Sequence, residues 1–293
     1  MRSGRINAQK KESSFVSFDK TPIHYDLYDG FRNGGTPGPS GGIRANLLVV
    51  HGSGEHAGRY AGFGGYLAQR GIRVYVVDLR GYGRSGGRRA YARRMSDFGR
   101  DLDALLALME KRHDGGLFLL GHSLGGLIAS YNLAYTVLRP LRGLILSSPC
   151  FALERKVPWH IHALAVLSSK LWPTRLYPTD PRPEILTHDP EVVNHFWEDT
   201  ALTHKMSAGL YVLMRRTFAR SLEIARRITC PVLVLQAGDD RVVKVEATRA
   251  FYEQLKSQDK TLKVYEGFFH EILQERDRVK VYEDILRWLE AHA

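Results

Sequence analysis

The sequence predicts an α/β architecture: a mostly parallel sheet with helices on both faces and an inserted helical cap. Three observations carry that reading. Short apolar runs alternate with helix-length segments from residue 45 onward, the rhythm of a sheet covered on both sides. The rhythm breaks once, over 152–225, where proline-punctuated helical segments follow one another without a convincing strand. Between these features, an apolar run enters Gly121-His122-Ser123-Leu124-Gly125, so that a strand passes into a helix through a turn too tight for ordinary side chains.

In chain order, FVSFD (15–19) and IHYDLYD (23–29) read as a hairpin at an antiparallel edge, and FRNGGTPGPSGG (31–42) reads as a loop. ANLLVVHG (45–52) and IRVYVVDL (72–79) are apolar on both faces, as buried parallel strands are. GLFLLGHS (116–123), LRGLILSSP (141–149), PVLVLQAGD (231–239) and TLKVYEG (261–267) extend the set. Helical patterns fall near 60–70, 96–112, 124–138, 245–257 and 277–291. The expected organisation is therefore a core over 1–151, a cap over 152–225 and a second part of the core over 226–293. Within the cap, VPWHIHALAVLSSKLWP (157–173) is apolar over most of its length with a tryptophan near each end. It can pack inward as ordinary core, or expose one apolar face at a lipid interface.

Composition narrows the class. The 293 residues, 44% hydrophobic and 25% charged, suit one large domain or a domain with an insertion. No apolar run approaches the roughly 20 residues of a membrane-spanning helix. The start, MRSGRINAQKKESS, has no apolar segment after its basic residues, so a secretory signal is not expected and a cytoplasmic protein is. Two cysteines, Cys150 and Cys230, argue against a disulfide framework. They fall at opposite ends of strands expected to be parallel neighbours. The net charge of +11 is concentrated partly in GRSGGRRAYARR (83–94), yet no nucleic-acid motif accompanies it, so no nucleic-acid partner is expected.

G-x-S-x-G is the nucleophile-elbow pattern, in which the serine oxygen stands above a sheet, although a serine here could also simply cap the following helix. A nucleophilic serine needs a base, and the base needs an orienter. The order Ser, acid, His is met by Ser123, by Asp239 or Asp240 where PVLVLQAGD ends, and by His270 after the next strand. Successive side chains at a strand end point to opposite sides, so only one of the two aspartates can face His270. For the oxyanion, the backbone N–H of Leu124 and of Ser53, in the loop after ANLLVVHG, are the candidates. His51 and His56 lack the carboxylate or cysteine spacing of a metal site. His270-Glu271 opens a zincin pattern that fails at Gln274. Gly81-Tyr82-Gly83-Arg84-Ser85-Gly86 fits a dinucleotide fingerprint, but no periodic helix follows, and a glycine-rich loop shaped by Asp78 and Arg80 is expected.

HGSGEHAGRY, VDLRGYGRSG, GHSLGG, GDDRVV and GFFHE, in that order, resemble the monoacylglycerol lipase and lysophospholipase branch of the α/β-hydrolases. The likeness spans about 15–293, with an echo at ILTHDPEVV in the cap. It implies the α/β-hydrolase fold and a serine esterase or lipase that cleaves single-chain acyl lipids without metal or organic cofactor. It also implies Ser123 as nucleophile, His270 as base, Asp240 as acid, and Ser53 and Leu124 as oxyanion donors. The same machinery could cut peptide, thioester or lactone bonds. Dehalogenases and epoxide hydrolases would carry aspartate where Ser123 stands. A silent binding protein would be expected to have lost a triad member, and all three positions are filled. Contact of the cap with a membrane surface is expected if its apolar helix is exposed.

Overall fold

The computed structural model describes residues 9–30 and 45–293. The expected loop at 31–42 and the first basic residues lie outside these. The chain opens with an antiparallel hairpin, β1 (Gln9–Val16) and β2 (Pro22–Asp29), as the edge reading required. Then come β3 (Ala45–Val50), α1 (Ala61–Ala68), β4 (Ile72–Val77), α2 (Met95–Arg112), β5 (Gly116–His122), α3 (Leu124–Tyr135) and β6 (Gly143–Ser147). The cap segment holds α4 (Trp159–Leu171), β7 (Leu176–Pro178), α5 (Pro190–His195), β8 (Lys205–Ser207), α6 (Ala208–Phe218) and α7 (Ser221–Ala225). The chain closes with β9 (Val232–Ala237), α8 (Val245–Gln254), β10 (Lys260–Tyr265) and α9 (Arg278–His292).

One eight-stranded sheet runs in the order β1-β2-β4-β3-β5-β6-β9-β10. Every pairing from β4 to β10 is parallel, and only the β1–β2 and β2–β4 pairings are antiparallel. Two apolar layers bury its faces. One joins Leu102, Leu106, Leu127 and Phe251, and the other joins Phe63, Phe118, Ile285 and Trp288. Helices on both sides supply these side chains, which is why the central strands are apolar on both faces rather than alternating.

Residues 152–225 contain an element that the sequence reading lacks. β7 and β8 form a small antiparallel ribbon where no strand was read. Strands of three residues are too short to print a period in the sequence. Residues 78–94 form a glycine-rich turn system in which no helix begins, the next one starting at Met95, as the loop reading required. Asp78 organises it, accepting from the N–H groups of Ala57 and Arg84 at 2.6 and 2.9 Å.

Candidate active site

The elbow begins with steric necessity. Ser123 sits at φ 50°, ψ −116°, a conformation that costs a non-glycine residue free energy and persists only where its surroundings hold it. Those surroundings are backbone: Ser123 N–H donates to Ser147 O at 3.0 Å, and its carbonyl accepts from Gly126 and Cys150. A Cβ on Gly121 would stand 2.3 Å from Gly125 O, and one on Gly125 would stand 2.1 Å from Val50 O. The two glycines flanking the serine are thus required by close backbone approach. The simple capping role does not hold, because the Ser123 side chain caps nothing in α3.

Its hydroxyl is instead 2.9 Å from His270 Nε2, and His270 Nδ1 is 2.8 Å from Asp240 Oδ2. With Nδ1–H donated to the carboxylate, Nε2 is the bare nitrogen placed to accept the hydrogen bond of the Ser123 hydroxyl. Asp240 Oδ1 accepts from Val242 N–H and Val243 N–H, each at 2.9 Å, and Gln236 Nε2 reaches Oδ2 at 3.1 Å. Asp239, the neighbouring candidate, is exposed to solvent and does not meet His270. Burial opposes the charged form of His270, but the adjacent Asp240 carboxylate outweighs it and raises the pKa above the ordinary histidine value. Burial likewise works against charge on Asp240, and His270 with the two backbone N–H groups brings its pKa down.

Leu124 is the first residue of α3, and Ser53 follows Gly52 in the loop after β3; both line the same cavity as Ser123. Neither backbone N–H is donated to another described residue, which leaves both free for an oxyanion. His51 is used up by the fold. Its Nε2 accepts from Leu79 N–H at 3.0 Å while Nδ1–H donates to Gly52 O at 2.7 Å. His56 accepts from Gly58 N–H through Nδ1 and meets the Asp199 carboxylate through Nε2 at 2.8 Å. Among the described residues no cluster of His, Cys, Asp and Glu is arranged to hold a metal ion.

Sequence reasoning missed a buried charge network beside the triad. Glu55 accepts from Gly52 N–H at 2.6 Å and Tyr60 OH at 2.8 Å, and Arg59 lies 3.1 Å away. Arg59 also grips Glu271 through two bonds of 3.1 and 2.7 Å. Burial favours protonated Glu55, but Arg59, the neighbouring histidines and the Gly52 N–H together outweigh it and hold its pKa below the usual carboxylate value. This network ties the oxyanion loop to the residue after His270. His122, whose ring centre is 5.0 Å from that of His270, is kept neutral by burial, its pKa lowered to about 4. Glu55 and Arg59 sit inside HGSGEHAGRY, so charged residues among small ones were the available signal.

Above the triad lies a cavity of about 1020 Å³. Its walls are mostly apolar, with Leu153, Ile161, Leu164, Phe196, Met206 and Met214 among them. One side of the cap is fastened to the core by Thr203 N–H to Gly54 O at 2.8 Å, Glu271 N–H to Leu186 O at 2.8 Å, and His188 to Glu275 at 2.9 Å. The α4 side is different: Ser168 is its only buried residue, and Leu164, Leu167 and Leu171 are more than half exposed. Packing of this helix as ordinary core, one of its two readings, does not hold, although Ile161, Leu164 and Ala165 face the cavity. No helix among the described residues is long and apolar enough to cross a membrane.

A serine raised on a strained turn at the end of β5, answered by partners after β9 and β10, defines an α/β-hydrolase. Within that class the chain belongs to the family described as serine aminopeptidase, S33, which matches residues 41–277. The monoacylglycerol lipase of Mycolicibacterium smegmatis is 29% identical over 290 residues, covering 98% of this chain and 99% of that protein. The human monoglyceride lipase is 32% identical over 261 residues, covering 86% and 84% respectively. The crystal structure of Paleococcus ferrophilus monoacylglycerol lipase superposes with a TM-score of 0.80 at 26% identity, over 97% of this chain and all of that one.

Proposed function

We propose that the protein is a serine carboxylic-ester hydrolase acting on single-chain acyl lipids, of the monoacylglycerol or lysophospholipid kind. The observation that carries this is the Ser123–His270–Asp240 chain of hydrogen bonds opening into a large, mainly apolar cavity. His270 Nε2 takes the Ser123 proton as Oγ attacks the ester carbonyl. The developing oxyanion accepts from Ser53 N–H and Leu124 N–H, where the N-terminus of α3 also favours negative charge. His270 then returns the proton to the leaving alkoxide. A water deprotonated by His270 attacks the acyl-enzyme, and fatty acid leaves. Asp240 holds the imidazole in its working tautomer and stabilises the transient imidazolium.

Residues 152–225 act in this reading as a cap that shapes the acyl site, and α4 as its contact with lipid. Trp159 and Trp172 are 81% and 63% exposed at the two ends of that helix, as amphipathic rings at a membrane interface would be. An acyl chain could then pass from bilayer to Ser123 without crossing water, and the net charge of +11 would add attraction to anionic lipid. The relatives named as monoacylglycerol lipases support a lipid substrate; the family's description supports a second reading, cleavage of a peptide bond after a free amino terminus. A panel of monoacylglycerols and p-nitrophenyl esters of graded chain length, set against aminoacyl p-nitroanilides, separates the two. The lipase reading expects kcat/KM to rise with chain length and the anilides to stay uncut. Faster cleavage of the anilides would reverse it.

A further inference from the structure

The cavity changes character along its length. Beside His270 its one buried cation, Arg59, is held between two carboxylates, Glu55 and Glu271, all three shielded from solvent. Four other cations line it and are solvent-exposed, so they form its outer rim: Arg155, Lys156, Arg182 and Arg241. A single rim carboxylate, Asp180, is shared between Arg155 at 3.2 Å and Arg182 at 3.9 Å. Lys156 and Arg241 pair with no carboxylate among the described residues. Arg241 is instead laid over the Phe269 ring, 4.3 Å from its centre, which sets it beside His270. Its neighbour Asp240 cannot serve it, because both oxygens of that carboxylate are engaged by His270, Gln236 and two backbone N–H groups.

The backbone holds these cations together. Leu153 and Val243 form an antiparallel bridge, with Glu154 N–H donating to Val242 O at 2.9 Å and Lys244 N–H to Ala152 O at 3.0 Å. Arg155 and Arg241 each lie two residues from that bridge, one on either segment. Like charges held close together repel, and the one carboxylate lining the rim is already shared between two arginines.

We propose that this rim is an anion subsite that receives the phosphate of a single-chain phospholipid ester, so that the enzyme prefers an anionic lysophospholipid to a neutral monoacylglycerol. The inference rests on the ester-hydrolase reading above. Guanidinium forks match phosphate oxygens in geometry as well as charge. With the ester carbonyl at Ser123 and the acyl chain along the apolar walls, the headgroup is the part of the substrate left to meet the rim. The fatty-acid carboxylate does not compete for this role, since it forms at Ser123 itself.

The test compares 1-oleoyl-glycerol with 1-oleoyl-glycerol 3-phosphate in neutral-detergent micelles, for wild type, Arg241→Gln and the double variant Arg155→Gln/Lys156→Gln. Melting temperatures establish that the variants fold. Wild type should show a kcat/KM at least about tenfold higher on the phosphate ester, the scale of one charge-assisted contact. Each variant should lower that ratio by about as much, chiefly through KM, and added salt should erode it because the rim is exposed. Equal turnover of both lipids by wild type, or equal loss on both in the variants, would overturn the proposal. Inhibition of monoacylglycerol hydrolysis by inorganic phosphate without any preference for the phospholipid would also overturn it, by revealing a free-anion site. Failure to cleave any ester, including p-nitrophenyl butyrate, would instead remove the underlying esterase reading.

Discussion

In β3, β4 and β9 every residue is buried, whereas in α4 Ser168 alone is. Both stretches are strongly apolar in sequence, yet one lies between two layers of helices and the other faces out from the cap. The difference divides the labour. Buried strands end at positions their neighbours fix: the elbow closes β5 and the acid follows β9, while the histidine follows β10, the half-exposed edge strand paired to β9. That precision is what a hydrogen-bonded relay of 2.8 and 2.9 Å requires. The cap has one side latched to the core and another with apolar side chains in solvent, so it is suited to admitting substrate rather than to positioning atoms. On the proposed reading, chemistry belongs to the sheet and substrate selection to the cap.

The largest break in this comparison should come from the core. Asp240→Asn should lower kcat by about 10⁴-fold, because His270 loses its orienter and its preferred tautomer. Asp239→Asn should remain close to wild type, since that side chain is exposed and does not meet His270. Steady-state kinetics on a soluble ester checks both, and the reverse ranking would contradict the assignment. The same carboxylate sets the pH profile. His270 must be neutral to act as base, and its pKa is raised, so kcat/KM should fall with decreasing pH through a midpoint above the ordinary histidine value of about 6.5. In Asp240→Asn the opposing influence of burial is left in control, and the acid limb of the residual activity should move downward.

A smaller, more selective effect is expected from the cap. Leu167→Ser with Leu171→Ser should weaken sedimentation with anionic liposomes and slow hydrolysis of membrane-borne monoacylglycerol far more than that of a short soluble ester. Both side chains are more than half exposed, so the melting temperature should hardly change. Equal loss on both substrates with a lowered melting temperature would mean that α4 is held as core after all.

These two regions were unequally legible in the sequence. The core strands could be read because parallel burial leaves uninterrupted apolar runs, as in Ala45–Val50 and Ile72–Val77. Ser123 and Asp240 could be read because each follows such a run, and His270 because it comes after the next strand in the order a triad requires. Glu55, Arg59 and Glu271 could not be paired beforehand, since the Arg59–Glu271 contact spans 212 positions and leaves no local pattern. In α4, apolar residues on most sides left its outward direction open, and packing alone decides it. Gln236 reads as one polar residue in an apolar strand; its bond to Asp240 gives that interruption a role.

The smallest expected effect concerns the cysteines. β6 and β9 are parallel with Leu144 opposite Val232, so Cys150 lies beyond one edge of the sheet and Cys230 before the other. At about 3.3 Å per residue they are roughly 15 Å or more apart, too far for a bond. Burial pushes the thiols up to about 12 and about 11, so both should react slowly in the native protein. After denaturation, thiol titration should find two free groups without reduction; a disulfide would contradict the strand order.

The claim that the core carries the chemistry through Ser123 is tested most directly by a fluorophosphonate probe, which captures only an activated serine. Wild type should gain one covalent adduct, located to Ser123 by peptide mass spectrometry. Ser123→Ala should gain none, while keeping the wild-type melting temperature. Absence of labelling in folded wild type, or an adduct that persists in Ser123→Ala, would contradict the account.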